Sequence, residues 1–90
     1  MSLLPETEVD ARLRSLPGWT RDGKRIRRAY KFGSFTEAMA FVNRVAGLAE
    51  AQDHHPDILI EYSAVTLTLS SHDAGGLTAR DLKLAAAIDA

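Results

Sequence analysis

Hydrophobic residues recur along this chain with two different spacings, which follow one another in a regular order. Apolar positions three or four residues apart predict α-helices, whereas apolar positions that alternate with polar ones predict half-buried β-strands. The helical spacing covers residues 7–16, 34–50 and 77–89. The alternating spacing covers residues 19–32 and 57–71, and each of these segments contains an internal turn. The resulting order, α-β-β-α-β-β-α, predicts an α+β fold in which helices pack on one face of a four-stranded antiparallel sheet.

Each predicted helix begins with a pair of residues that fits the capping box, in which two side chains accept hydrogen bonds from each other's backbone N–H groups. The pairs are Thr7 with Asp10, Ser34 with Glu37, and Thr78 with Asp81. Asp81 thus occupies the third position of its helix, where a carboxylate stabilises the free N–H groups and the helix dipole. A purely structural role would therefore be enough to explain this residue.

The first hairpin is predicted to turn at Asp22-Gly23, a pair that favours two-residue turns. This turn places Trp19 opposite Ile26. Five basic residues follow it: Lys24, Arg25, Arg27, Arg28 and Lys31. They could contact nucleic acid or an acidic partner. A solvated hairpin is the favoured interpretation, because these residues alternate between both strand faces in a nearly neutral chain.

The second hairpin carries the three histidines of the chain. A turn at Ser63-Ala64 gives only apolar facing pairs: Tyr62 with Val65, Ile60 with Leu67, and Ile58 with Leu69. The same register, continued past the strand ends, places His55 opposite His72, while the adjacent His54 approaches from another direction. We therefore predict that the histidines gather at one end of this hairpin.

Clustered imidazoles suit acid–base chemistry on a small molecule, because imidazole changes its protonation near neutral pH. Two other interpretations are solvated histidines at a strand edge and a metal site. The histidines lack the H-x-H and H-x-x-x-H spacings typical of metal ligands, although a carboxylate such as Glu50 or Asp81 could complete a site. We accordingly expect no metal.

Length and composition narrow the function classes further. Ninety residues with a mass of 9.8 kDa suffice for one domain, expected to span residues 1–90. The 11 basic and 12 acidic residues give a net charge of −1, so no global attraction to nucleic acid or an anionic membrane is expected. The absence of cysteine excludes thiolate chemistry and indicates a reducing compartment. With neither a bilayer-spanning apolar run nor a signal peptide, a cytoplasmic location is expected.

The central helix has more apolar surface than one contact with a sheet requires. A single stripe suffices to cover the sheet, namely Ala38, Val42, Val45 and Ala49. Phe41 and Leu48 lie on a neighbouring face, and so small a domain has little left to cover them. We therefore expect a homodimer or homotetramer that buries these two residues. The alternative is that Leu13 and Leu16 of the first helix cover them within one subunit.

Several motifs between about residues 16 and 88 resemble the pterin-4a-carbinolamine dehydratase family. The matching motifs are Gly18-Trp19, Phe35-x-x-Ala38-Met39-Ala40-Phe41, Ala49-Glu50-x-x-x-His54-His55-Pro56 with Tyr62 after it, and His72-Asp73-Ala74-Gly75-Gly76-Leu77-Thr78-x-x-Asp81. One position departs from the family pattern. Many relatives carry Trp two residues after the proline of His-His-Pro, where this chain has Ile58, so the site wall loses aromatic surface.

The resemblance implies a similar α+β fold and an activity: removal of water from 4a-hydroxytetrahydropterin to give quinonoid dihydropterin. This step recycles the cofactor of aromatic amino-acid hydroxylases and requires neither a metal nor a redox cofactor. By position, the resemblance assigns catalysis to His54, His55, His72 and Asp81. It assigns pterin binding to Glu50, His72 and Asp73.

The family resemblance also implies an alternative from a different functional class. Relatives with this fold act as a dimerisation cofactor for a homeodomain transcription factor or as assembly aids for a carbon-fixing enzyme. Such a binding module needs a surface but no acid–base residues. The presence of all three histidines and Asp81 therefore favours the enzyme.

Overall fold

A computed structural model describes residues 2–90, which form seven elements in the predicted order. The helices are α1 (Glu6–Leu13), α2 (Phe35–Gln52) and α3 (Ala79–Ile88). The strands are β1 (Thr20–Asp22), β2 (Arg25–Lys31), β3 (Asp57–Glu61) and β4 (Ala64–Leu69). The α+β class and the four-stranded antiparallel sheet are confirmed. Within residues 2–90, no helix has the length and apolar character needed to cross a membrane.

The strand order in the sheet is β1-β2-β4-β3, and all neighbouring strands are antiparallel. The two hairpins join through β2 and β4, where Ile26 pairs with Leu69. On the other side of β4, Asp57 at the start of β3 pairs with Thr68. The start of β2, the end of β4 and the start of β3 therefore lie at the same end of the sheet.

One hydrophobic core lies between the sheet and the helices. On β4 the buried residues are Val65, Leu67 and Leu69, while the intervening Thr66 and Thr68 are only partly buried. This alternation is expected for a sheet with one covered face. The helices bury mainly small or aliphatic side chains against it: Ala38, Val45 and Ala49 from α2, and Leu82, Leu84, Ala85 and Ile88 from α3.

Both hairpin turns lie one residue away from their predicted positions. The first turn is Gly23-Lys24, and it pairs Arg21 with Ile26, so the predicted pairing of Trp19 with Ile26 is wrong. Gly23 has a φ of +64°, and glycine at the first position of a two-residue loop readily adopts such a positive φ. The positive φ of Gly23 therefore places the turn one residue later than the Asp22-Gly23 pair predicts.

The second turn is Tyr62-Ser63, with Tyr62 in the left-handed region at φ +55°. It pairs Ile58 with Leu67. The same register, continued past β3, brings His55 beside Ser70, so the predicted pairing of His55 with His72 is wrong. Moving a turn by one residue shifts the register by two, which leaves every side chain on its predicted face.

The helix starts agree with prediction to different degrees. α1 begins after Pro5 with no side-chain cap, so the predicted cap at Thr7 is wrong. At α2 the Ser34 hydroxyl accepts a hydrogen bond from the Glu37 N–H at 3.1 Å. The Glu37 carboxylate, however, accepts from the Gly33 N–H, so only half of this capping box forms.

Phe41 packs against the strand aromatics rather than remaining uncovered. Its ring centroid lies 4.6 Å from that of Tyr30 and 5.0 Å from that of Phe32. Leu48 also packs against the core, and α1 packs against α3. Both residues nevertheless remain partly exposed in the single chain, so their burial in a subunit interface stays a prediction.

Asp89, at the end of α3, joins this helix to the first hairpin. Its Oδ2 accepts hydrogen bonds from Trp19 Nε1 at 2.7 Å and from Arg28 Nη1 at 2.8 Å, while Oδ1 accepts one from the Tyr30 hydroxyl at 2.7 Å. Burial raises the pKa of Tyr30 above its ordinary value, and the bond to Asp89 raises it further. Arg28 thus belongs to a structural contact rather than to a solvated basic surface.

Candidate active site

His54 and Asp81 form a buried pair between the end of α2 and the start of α3. Nε2 of His54 lies 2.5 Å from Oδ1 of Asp81, and the two residues are 6% and 0% exposed. α2 ends at Asp53 in a left-handed conformation, and the following N–H of His54 donates to the Ala49 carbonyl at 3.0 Å. The helix terminus therefore fixes the backbone from which the imidazole reaches Asp81.

The second oxygen of Asp81 belongs to a buried hydrogen-bond network. Oδ2 accepts from the Ser71 hydroxyl at 2.8 Å and from the Thr78 N–H at 2.9 Å. The hydroxyl oxygens of Ser71 and Thr78 are also 2.8 Å apart. The predicted capping box of Thr78 and Asp81 is confirmed. Since a buried carboxylate is stable only with such partners, one side chain both caps α3 and holds the imidazole.

This arrangement leaves one nitrogen of His54 for chemistry. With Nε2 facing the carboxylate, Nδ1 forms no hydrogen bond within residues 2–90. A carboxylate behind an imidazole fixes the ring orientation and tautomer, and it stabilises the imidazolium that forms when the other nitrogen takes a proton. The pair is thus arranged for proton transfer at Nδ1.

His55 forms a second pair on the surface. Its Nε2 hydrogen-bonds Oε2 of Glu50, in the last turns of α2. The side chains of His55 and Glu50 are 56% and 77% exposed, so solvent screens this contact and its contribution to stability is small. An exposed imidazole with a carboxylate beside it can exchange protons with water.

His72 lies apart from these two pairs, in the exposed turn at residues 72–75. It lines a cavity with the β1–β2 turn, on the other side of β4 from β3. Both carboxylate oxygens of the next residue, Asp73, accept from Nη2 of Arg80, at 2.7 and 2.9 Å. The hydrogen bond from Arg80 lowers the pKa of the Asp73 carboxyl below its ordinary value.

The structure therefore joins four of the expected residues in two pairs, His54 with Asp81 and Glu50 with His55, and places His72 and Asp73 in a neighbouring turn. Ser71 is the polar residue that sequence reasoning missed, because its contact with Asp81 depends on how α3 packs at the end of β4. Across residues 2–90, no group of three or more His, Cys, Asp or Glu side chains is placed to hold a metal ion.

Comparison with known proteins decides the family. A model of the family described as pterin 4 alpha carbinolamine dehydratase matches residues 2–90. The chain belongs to the pterin-4a-carbinolamine dehydratase family. A protein from Roseiflexus castenholzii, provisionally named pterin-4-alpha-carbinolamine dehydratase, is 56% identical over 88 residues, covering 98% of this chain and 95% of the relative. A similarly named protein from Acidobacterium capsulatum is 51% identical, covering 100% of this chain and 98% of the relative.

Solved structures in this family show the same architecture. A transcriptional coactivator/pterin dehydratase from Brucella melitensis is 36% identical with a TM-score of 0.92, covering 97% of this chain and 95% of that one. A pterin dehydratase-like protein identified as a RuBisCO assembly factor in the alpha-carboxysome is 28% identical with a TM-score of 0.68, covering 80% of this chain and 86% of that one. Family membership and fold are thus confirmed, and both kinds of function occur among the names of structural neighbours.

Proposed function

We propose that this protein is a dehydratase that removes water from a 4a-hydroxytetrahydropterin, such as 4a-hydroxytetrahydrobiopterin, to give the quinonoid dihydropterin. The observation that carries the proposal is the buried pair of His54 and Asp81, in which Nδ1 of the imidazole has no hydrogen-bond partner among residues 2–90. The cap of α3 accounts for one oxygen of Asp81, and the contact of the other oxygen with an imidazole is the arrangement that acid–base catalysis requires. Family membership supports the same conclusion.

The proposed reaction is an elimination. The C4a–O bond breaks, the N5–H bond breaks, a C4a=N5 double bond forms, and water leaves; no electrons are exchanged with a cofactor. One group must protonate the leaving hydroxyl, and another must accept the N5 proton. We assign the base to Nδ1 of His54, because Asp81 stabilises the resulting imidazolium. His55, exposed and paired with Glu50, is suited to deliver the proton to the hydroxyl.

The remaining expected residues are assigned to pterin binding. His72 lines a cavity at the same end of the sheet, and Asp73 is held nearby by Arg80. The enzyme would act after an aromatic amino-acid hydroxylase, in the cytoplasm, as a homodimer or homotetramer.

The decisive experiment is a dehydration assay with 4a-hydroxytetrahydropterin generated in situ by a hydroxylase. The protein should accelerate appearance of the quinonoid dihydropterin above the spontaneous rate. The double variant His54→Gln/His55→Ala serves as the matched control, because it should fold but lose that acceleration. A correctly folded wild-type protein that leaves the spontaneous rate unchanged would overturn the proposal.

The second candidate is a non-catalytic assembly function, favoured by the likeness to the RuBisCO assembly factor. That likeness is weaker than the one to the coactivator/pterin dehydratase, with TM-scores of 0.68 and 0.92. An inactive wild-type protein that raises the yield of assembled RuBisCO in reconstitution would support this function instead.

A further inference from the structure

The cavity lined by His72 has a basic wall that the elimination chemistry does not use. Its other walls are the β1–β2 turn at residues 22–25, Ser70 and Gly75, and its volume is about 510 Å³. The cavity is open to solvent on one side. The cavity can therefore hold a substituent of the substrate in addition to solvent.

The charges on this wall do not cancel. Asp22 also lines the cavity, and its carboxylate lies 3.8 Å from Arg27 in an exposed contact, so the wall carries two cations and one carboxylate. Lys24 and Arg25 form no ion pair within the described residues 2–90. Two cations without anionic partners thus face one small cavity, and both can bind phosphate or carboxylate oxygens.

The basic turn lies close to the candidate site. The Ser70 hydroxyl donates to the Lys24 carbonyl at 2.8 Å, which fixes the turn beside the end of β4. The register of β2 and β4, continued by one pair, places Arg25 beside Ser70, and the register of β3 and β4, continued by two pairs, places His55 on the other side of Ser70. Two strand spacings separate these two positions, or about 10 Å. A substituted bicyclic ring at the histidines can reach across this distance.

From this juxtaposition we infer that Lys24 and Arg25 form a subsite for an anionic group on the pterin substituent. The inference rests on the proposed dehydratase function and specifies its substrate class. The favoured substrate is a 4a-hydroxytetrahydropterin whose side chain ends in a phosphate ester or a carboxylate. Neutral hydroxyalkyl pterins lack the group that these two cations bind.

The test compares kcat/KM for two 4a-hydroxytetrahydropterins that differ only in a phosphate ester on the side chain. The phosphorylated substrate should be preferred, chiefly through a lower KM, and the preference should weaken as salt is added. The double variant Lys24→Gln/Arg25→Gln should reduce the preference roughly three- to thirty-fold, as for two partly exposed charge pairs. Lys83→Gln, which removes an exposed charge on α3, should leave the preference unchanged.

Equal kcat/KM values for the two substrates, or a preference that survives in the double variant, would overturn the inference while the dehydratase function stands. If neither substrate is dehydrated, the proposed function fails. Calorimetry then tests the subsite by comparing how tightly the wild-type protein binds a phosphorylated tetrahydropterin and its neutral counterpart. Equal affinities would overturn the proposed subsite. A circular-dichroism melt confirms that each variant is folded.

Discussion

Replacing Asp81 with asparagine should separate the two duties of this side chain. Oδ2 accepts hydrogen bonds from Ser71 and Thr78, so the amide oxygen, the only acceptor of the new side chain, takes that place. The amide nitrogen then faces Nε2 of His54, which must accept a hydrogen bond. The ring proton consequently moves to Nδ1, the nitrogen proposed to accept the proton of the substrate.

Asp81→Asn should reduce folding stability only modestly but reduce turnover strongly. The cap of α3 survives, because both of its donors keep an acceptor. Three charge-assisted hydrogen bonds become neutral ones, at about 1 kcal/mol each, and relief from burying a charge offsets part of that loss. The free energy of unfolding should therefore fall by roughly 1–3 kcal/mol. The turnover number should fall by about 10²–10⁴, the usual contribution of general acid–base catalysis.

Urea unfolding measures the loss of stability, and the dehydration assay measures the loss of turnover. Nitrogen-15 NMR of the His54 ring reports whether the proton has moved to Nδ1. Glu37→Gln is the matched control, because Glu37 holds the corresponding third position of α2 and contacts no histidine. It should cost some stability and leave kcat intact. Wild-type kcat in Asp81→Asn, with the proton still on Nε2, would refute the assignment of Asp81 as the group that orients His54.

Other replacements test the remaining contacts. His54→Gln should fold and lose about 10²–10⁴ in kcat; His54→Ala should also lose roughly 3–5 kcal/mol in urea unfolding, because it strands a buried carboxylate. The exposed His55→Ala should lower kcat at an almost unchanged unfolding midpoint. Ser71→Ala should lower kcat with little change in KM. Ser71→Thr keeps the hydroxyl and should retain a higher kcat than Ser71→Ala. Asp89→Ala should cost roughly 2–4 kcal/mol of unfolding free energy, since it removes three hydrogen bonds, at unchanged kcat. The pKa of Tyr30 is raised in the folded state, so its contribution to the free energy of unfolding is complete below about pH 10 and is lost as the pH rises through the raised value. The variant Tyr30→Phe should therefore lose less stability at alkaline pH than the wild type.

Side-chain alternation was sufficient to predict the faces of the sheet but not the pairing of its strands. Val65, Leu67 and Leu69 are buried as expected, whereas both turns moved by one residue. Alternation has a period of two, so registers that differ by two residues satisfy it equally well. The choice between them depended on backbone conformation at the turns, including a left-handed tyrosine that composition does not suggest.

The candidate site was predictable as a set of residues but not as a set of contacts. His54, His55 and Asp81 could each be named from motifs, and Glu50 and His55 are only five residues apart in the sequence. The contact between His54 and Asp81 joins residues 27 apart through the packing of α3 at the end of α2. The sequence predicts His54 at one end of the second hairpin, and the structure buries it there against Asp81. This burial comes from the left-handed end of α2, which no periodic pattern indicates.

The structural and functional explanations of Asp81 do not compete, because they use different oxygens of one carboxylate. A helix cap needs a single acceptor, and Oδ2 supplies it to the Thr78 N–H. Glu37 holds the corresponding position of α2, but it accepts from the Gly33 N–H outside the helix and its side chain lies in solvent. Asp81 is buried where the end of α2 meets the start of α3, so its second oxygen must also find a donor, and the imidazole of His54 is that donor. Burial therefore turns a common capping residue into the group that sets the protonation chemistry of the proposed base, and fold stability and catalysis should be coupled at this one position.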